Sequence, residues 1–281
     1  MRQTNIKSHA KINLALNVVG KNSYLHKIET LVAFVSLHDE ISIKRIKTKK
    51  HIISFTGKFS KNIGKNNTIS KLFKILEMKK LLKNEKFKIK VNKLIPNKAG
   101  LGGGSMNAAS ILKYLAKKKI IKTNKKELMK VSKLVGSDVI LGLKSKNCIM
   151  NKKNEVKYFV NYKKFHVLIV KPNFGCSTKE VYSNVEKFNT PKFDKPSKKM
   201  FNLDYLKNLS NSLEPIVFAK YNKLNEIKLF LENLSVTKFV RMTGSGSAIV
   251  AYFQSKEKCD KAKKDFNKKF KNYWCISSKT I

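Results

Sequence analysis

The 281 residues carry 61 Lys and Arg against 18 Asp and Glu, a formal net charge of +43, and are enough chain to bury one or two full cores. Only Arg2, Arg45 and Arg241 are arginines and the lysines form no single block, so base-edge readout, which leans on bidentate arginine, is not indicated. An AT-rich coding bias accounts for the lysine, asparagine and isoleucine as well as any binding role; the charge would still speed capture of anionic nucleotides.

Cys148, Cys176, Cys259 and Cys275 lie far apart without metal-ligand spacing, so free, mostly buried thiols in a reducing compartment are expected. Lys11 and Asn13 interrupt the N-terminal apolar run, and the longest such run, Ala248 to Phe253, falls far short of the ~20 residues of a membrane span. A soluble, cytoplasmic protein without a membrane partner is the expectation, as a monomer or weak homodimer.

In chain order, Lys11 to Val19 reads as a strand, Gly20 to Ser23 as a turn, and Ile28 to Leu37 and Ile41 to Ile46 as two further strands. Thr68 to Leu82 has helical spacing with Asn67 as N-cap. Phe87 to Val91 is a strand leading to Pro96; Ser105 to Leu115 and Lys125 to Val135 are helices. Val156 to Tyr162 and Phe165 to Val170 are strands, and Lys187 to Lys199 is an exposed connector. Leu203 to Leu209, Pro215 to Ala219 and Leu224 to Leu234 are helical. Phe239 to Met242 and Ile249 to Phe253 are strands around a glycine turn, Lys256 to Phe270 is a basic helix, and Tyr273 to Ile276 a last strand. Strands and helices without a regular βαβ repeat predict an α+β fold.

The most informative segment is Pro96-Asn-Lys-Ala-Gly-Leu-Gly-Gly-Gly-Ser-Met-Asn107. Gly100, Gly102, Gly103 and Gly104 open a stretch that turns apolar with helical spacing. A glycine-rich bend followed by a helix start presents unpaired N–H groups and a partial positive charge, an anion cradle suited to a nucleotide's phosphates. The alternative is a flexible surface loop. The segment lacks the Gly-Lys-Ser/Thr ending of a P-loop and the spaced glycines of a dinucleotide fingerprint, and the protein-kinase motif set is absent.

The segment resembles the phosphate loop of the GHMP kinase superfamily, with Met106 in place of a second serine. Ser8-His-Ala-Lys-Ile-Asn-Leu-Ala-Leu16 is similar to that superfamily's first motif, and Val240-Arg-Met-Thr-Gly-Ser-Gly-Ser-Ala-Ile-Val250 to its third. Five further segments resemble the branch acting on a cytidine diphosphate-linked methylerythritol: Tyr24 to Leu31, Asn67-Thr-Ile69, Val135-Gly-Ser-Asp-Val139, Ser177-Thr-Lys-Glu-Val-Tyr182 and Asn211-Ser-Leu-Glu-Pro215. Ile140 stands where that branch has proline, and Leu25 where it has tyrosine, with Tyr24 displaced by one. The resemblance runs from about residue 6 to about residue 253.

The resemblance implies a two-lobed GHMP kinase fold, with an N-terminal ATP-binding lobe like domain 2 of ribosomal protein S5 (1–155) and a ferredoxin-like C-terminal substrate lobe (156–281). It implies an ATP- and Mg2+-dependent kinase of isoprenoid biosynthesis. Pro96, Gly100, Leu101, Gly102, Gly103, Gly104, Ser105 and Asn107 would hold the phosphates, Ser105 and Asn107 also serving as helix caps or beside the metal. Asn67 and Lys93 would lie near the adenine. Asp138 would take the proton of the attacking hydroxyl and Lys11 assist it, although a turn aspartate and a snorkelling lysine are the generic readings. Asn13, on the same strand face as Lys11, would orient the hydroxyl. His26 would read the cytosine, Tyr182 stack on it, Thr178 bond the same ligand, and Gly244, Ser245 and Gly246 line the cleft. A kinase for homoserine or mevalonate, a kinase-like protein without activity, and a basic nucleic-acid-binding protein are the competing readings.

Overall fold

The computed structural model describes residues 3–23, 25–160 and 164–281. Tyr24 and the predicted strand end at Tyr162 lie outside the described residues. Packing divides the chain into two compact units, neither continuous in sequence: Met1–Ala10, Leu37–Pro96 and Gly102–Ser145 form one, and Lys11–Ser36, Asn97–Leu101 and Lys146–Ile281 the other.

Strands β1 (Thr4–Lys21) and β2 (His26–Ile46) are long enough that each contributes to both units. In the first unit, the end of β2 pairs antiparallel with β4 (Lys86–Asn92), Ile41 opposite Val91 and Ile43 opposite Ile89. β3 (Ile52–Thr56) adds to β4 in parallel. Helices α1 (Thr68–Met78), α2 (Gly103–Lys117) and α3 (Lys125–Val135) complete this unit. Their apolar residues, including Leu72, Phe73, Leu76, Leu112, Leu115 and Val131, share one core with Ile41, Ile89 and Val91. Asn67 caps α1 as its sequence predicts, accepting the Ile69 and Ser70 N–H groups at 3.0 and 3.1 Å.

In the second unit, β5 (Cys148–Met150) pairs with Thr30–Val32 of β2, and β6 (Val156–Tyr158) pairs with β5. A separate antiparallel sheet has the order β10-β7-β9-β8, built from β7 (His166–Lys171), β8 (Phe239–Met242), β9 (Ile249–Phe253) and β10 (Trp274–Lys279). Helices α4 (Thr178–Ser183), α5 (Leu203–Lys207), α6 (Glu214–Lys220) and α7 (Asn222–Glu232) lie between β7 and β8 in sequence, and α8 (Lys256–Lys269) between β9 and β10. Numbered within the sheet, the order is fourth, first, third, second, the split βαβ pattern of ferredoxin-like folds. Leu224, Ile227 and Leu231 of α7, with Cys259, Ala262 and Phe266 of α8, share its core with Leu168, Val170 and Ala251.

Several elements differ from expectation. The two strands predicted across 28–46 are one, with Asp39 buried between the two predicted segments. α1 ends at Met78 instead of Leu82, and α2 begins at Gly103, ahead of Ser105. β3, β5, α4 and the 3-10 helices Val139–Leu143 and Lys198–Phe201 are too short to leave a periodic signal. The connector is mostly exposed as expected, but Phe193 within it is fully buried. None of the four cysteines is in a disulfide, and all but Cys275 are buried.

The Val139–Leu143 helix packs on α2 through Gly142. A Cβ there would sit 2.6 Å from the Ala109 Cβ and 2.9 Å from the Met106 Sδ. Met106, the residue standing in for a serine, is therefore part of the packing between these elements. Replacing Gly142 with Ala should lower stability by about 1–3 kcal/mol through overpacking; a denaturant melt unchanged from wild type would contradict this contact.

Candidate active site

The candidate residues gather in two clusters, one in each unit. In the first unit, Gly102 adopts a left-handed conformation (φ 69°) as the N-cap of α2, and no side chain among the described residues caps the helix. The first-turn N–H groups of Gly103, Gly104 and Ser105 are the free donors that a helix start leaves. A Cβ on Gly103 would lie 3.1 Å from the Lys93 Nζ, so this ammonium stands beside the glycine turn. A Cβ on Gly104 would meet the Thr68 hydroxyl at 3.0 Å, so the start of α1 reaches the same place.

Lys93 is held there by Asp39, a residue to which the sequence alone gives no role. Asp39 is fully buried, and its carboxylate takes four donors. The Leu94 and Ile95 N–H groups reach Oδ1 at 2.8 Å each, Asn107 Nδ2 reaches Oδ2 at 2.9 Å, and Lys93 Nζ pairs with Oδ2. One carboxylate thus joins β2, the exit of β4 and the second turn of α2. With Nδ2 committed to Asp39, the buried Asn107 Oδ1 has no protein partner among the described residues. Asn67, expected near the adenine, spends its side chain on capping α1 and on the Gly64 and Lys65 carbonyls. Asp138 immediately precedes the 3-10 helix that packs on α2, and it is half-buried. Pro96 is buried.

In the second unit, Lys11 is 3% exposed and donates to Asn13 Oδ1 at 2.6 Å. Asn13 Nδ2 donates to the Thr30 hydroxyl at 2.8 Å, which in turn donates to the Ala15 carbonyl at 2.6 Å. These bonds fix which way the Asn13 amide points. The Thr243 hydroxyl accepts the Asn13 N–H at 3.0 Å and lies 3.2 Å from Asn13 Oδ1 and 3.1 Å from the Gly100 carbonyl. Leu101, buried by its side chain, accepts the Lys11 N–H at 3.1 Å. Gly100 (φ 70°) has no alternative, since a Cβ would run into the Thr243 carbonyl. The first motif, the start of the phosphate loop and the third motif therefore form one hydrogen-bonded block.

The third motif is shaped from below by residues whose role the sequence did not reveal. Asn211 Nδ2 donates to the Met242 and Gly244 carbonyls at 2.9 and 2.7 Å, and the Glu214 carboxylate accepts the Met242 N–H at 2.6 Å. Gly244 and Gly246 both take positive φ, 56° and 81°. Ser245 shares a hydrogen bond of 2.9 Å with Thr178, the first residue of α4. One turn along α4, the Tyr182 ring lies 5.2 Å from that of His26. Burial and the nearby Lys21 ammonium hold the His26 ring below its ordinary value of 6.5, so it is neutral at pH 7. Its Nε2 is enclosed without a partner among the described residues. Lys11, Asn13, Gly100, Gly244, Ser245, Thr178, Tyr182 and His26 are thus successive members of one row of contacts.

Chemically, the first cluster offers main-chain donors and a fixed ammonium to a polyanion. The second offers an ammonium and an oriented amide to a hydroxyl, and a neutral imidazole with an aromatic ring to a planar heterocycle. Among the described residues no helix is long and apolar enough to cross a membrane, and no group of three His, Cys, Asp or Glu stands ready to hold a metal ion.

Residues 67–150 match the GHMP kinases N terminal domain family. A solved 4-(cytidine 5'-diphospho)-2C-methyl-D-erythritol kinase superposes with a TM-score of 0.80 at 22% identity, covering 99% of this chain and 100% of that one. Homoserine kinase from Cytophaga hutchinsonii superposes at 0.74 with 14% identity over 100% of this chain and 95% of its own. The α+β fold is that of the GHMP kinases. Over all 281 residues, and the whole of its relative, the chain is 57% identical to 4-diphosphocytidyl-2-C-methyl-D-erythritol kinase of Pelagibacter ubique (strain HTCC1062). It belongs to the 4-diphosphocytidyl-2-C-methyl-D-erythritol kinase family.

Burial separates the ion pairs of the first unit in strength. Asp39→Asn would set two donors against Lys93 and Asn107, and should cost about 3–5 kcal/mol of stability. Glu85→Gln removes the exposed pair with Arg45 and should cost less than about 1 kcal/mol. Equal losses in urea unfolding would show that the Asp39 hub is not the stronger constraint.

Proposed function

We propose that this chain transfers the terminal phosphoryl group of ATP to the 2-hydroxyl of 4-diphosphocytidyl-2-C-methyl-D-erythritol, giving the 2-phosphate and ADP, in the methylerythritol phosphate route to isoprenoids. The observation that carries this reading is the 57% identity over the full length of both chains to a kinase of that name. Homoserine kinase shares the fold at 14% identity, which supports no transfer of its substrate to this chain.

Phosphoryl transfer asks a protein chiefly for positioning and charge neutralisation. Bound ATP with Mg2+ supplies the phosphoryl group and balances its charge. The residues present fit that group: Lys93 stands beside the run of glycines that opens α2, and among the described residues no side chain caps that helix and none donates to the Asn107 Oδ1. Gly102, Gly103, Gly104 and Ser105 hold the phosphates through main-chain N–H groups. The Ser105 hydroxyl and Asn107 Oδ1 are the protein oxygens that would help hold Mg2+, which would supply neutralisation of the phosphate charge.

Asp138 accepts the proton of the attacking hydroxyl. Lys11, held by Asn13, favours the alkoxide as it forms and stabilises charge in the transition state. Asn13 orients the hydroxyl through the amide that Thr30 and Thr243 fix. His26 reads the cytosine edge, Tyr182 stacks on the ring, and Thr178 and Ser245 bond the same ligand. Residues 1–155 supply the ATP-binding groups together with Lys11, Asn13 and His26, and 156–281 supply the remaining contacts to the second substrate, a division by role that differs from the division by packing. A cytoplasmic monomer or weak homodimer suits this soluble chemistry.

The deciding assay is ADP release with the cytidylylated methylerythritol against homoserine and mevalonate; turnover of either small alcohol in preference would overturn the reading. Asp138→Asn should lower kcat by several orders of magnitude and leave ATP binding nearly intact, and unchanged turnover would remove Asp138 as the base. The pH dependence of the cytidylylated substrate's KM tests His26. With its proton affinity lowered, the ring is neutral at pH 7 and above, so KM should be flat there. It should rise only as pH falls below the ordinary 6.5 and the ring protonates. A rise with its midpoint above pH 7 would point to another group.

A further inference from the structure

The stretch after α4 has the composition of a solvated linker, yet it is fastened down. Glu29 of β2 is fully buried, and its carboxylate accepts the Lys192 N–H at 2.6 Å, the Phe193 N–H at 2.9 Å and Asn17 Nδ2 at 2.9 Å. Phe193 follows these bonds into the core with none of its surface exposed. Upstream, the Asn189 N–H donates to the Val18 carbonyl at 2.8 Å. A carboxylate withdrawn from water and spent on main-chain donors is a strong local clamp. Residues 189–193 therefore form a strap latched to β1 and β2.

The strap presents Phe188 immediately before its first latch. This ring is 47% exposed, and its centroid lies 6.4 Å from that of His26 at an interplanar angle of 53°. Tyr182 stands 5.2 Å from His26 at 41°. Leu25, directly before His26, is 70% exposed and offers no ring. A neutral imidazole with an enclosed nitrogen that has no partner among the described residues thus adjoins two aromatic rings, one of them half in water and held in place by a buried clamp. A planar heterocycle with hydrogen-bonding edges is the ligand that uses both features, by stacking and by its polar rim.

We propose that Phe188 is a specificity-determining residue that joins Tyr182 and His26 in the wall receiving the pyrimidine of a nucleotide-tailed substrate. Glu29, acting through the strap, is the residue that positions it. The proposal rests on the kinase reading above and adds to it a contact supplied by the strap.

The test is steady-state kinetics joined to calorimetric titration with cytidine 5'-diphosphate. Phe188→Ala, a substitution at an exposed position, should raise the KM of the cytidylylated substrate about tenfold and weaken cytidine diphosphate binding by a similar factor. The kcat and the KM for ATP should stay within about twofold, since stacking of this kind is uniform binding. Phe188→Tyr should retain wild-type values. Glu29→Gln removes no ring but loosens the latch that positions Phe188, and should show the same selective rise in smaller measure. A Phe188→Ala protein with wild-type KM and cytidine diphosphate affinity overturns the proposal, as does a rise shared equally by ATP. Should the wild type turn over no cytidylylated substrate, the kinase reading fails by itself. Cytidine diphosphate affinity then decides on Phe188 alone: an affinity equal to wild type overturns its role, and about tenfold weaker binding sustains it.

Discussion

A carboxylate sealed from water has to collect its hydrogen bonds from the protein, and Asp39 collects four from two elements that nothing in the sequence brings to it. That demand fixes where β4 ends and how the start of α2 is turned, so the glycine turn inherits its shape from a buried charge. Glu214 and Asn211 do comparable work beneath the second glycine turn. Flexible glycine segments are precise here because neighbouring polar hubs leave them one arrangement.

The same logic gives the composition a different meaning. With 18 acidic residues against 61 basic ones, carboxylates are scarce, yet Glu29, Asp39 and Glu214 are buried. Among the described residues the buried cations are Lys11, Lys93, Lys171 and Arg241. Lys93 is bonded to the Asp39 carboxylate. Lys11 is bonded to an amide oxygen, Lys171 to the Pro172 and Phe174 carbonyls, and Arg241 to the carbonyls of Leu14, Leu206 and Leu209. Acidic groups are thus concentrated where geometry must be fixed, while most lysines stay hydrated, where an unpaired charge costs little.

Much of this was legible in the sequence, for reasons that differ by feature. Long amphipathic elements such as α1, α3 and α8 announce themselves by period, and the glycine turns by composition. Lys11 and Asn13 were visible because a cation inside an apolar strand is anomalous. Asp39 was not: flanked by His38 and Glu40, it reads as a polar interruption, and its partners lie more than fifty residues downstream. Glu29 was hidden likewise, since the donors that explain its burial sit in a segment whose composition suggests a free linker. Short elements such as β5 and α4 owe their form to neighbours and a cap, leaving too few residues for a period. Local pattern reports backbone habit; it is silent about which distant group will satisfy a buried one.

Gly142 and Met106 carry an evolutionary consequence. The thioether occupies the space that a side chain at 142 would need, so the two positions are not free to drift independently. A smaller residue at 106 would remove the thioether, but the Ala109 methyl, 2.6 Å from where a Cβ at 142 would stand, would still require glycine there. The departure at the phosphate loop is thus built into the packing of α2 on the Val139–Leu143 helix and is not an isolated lesion.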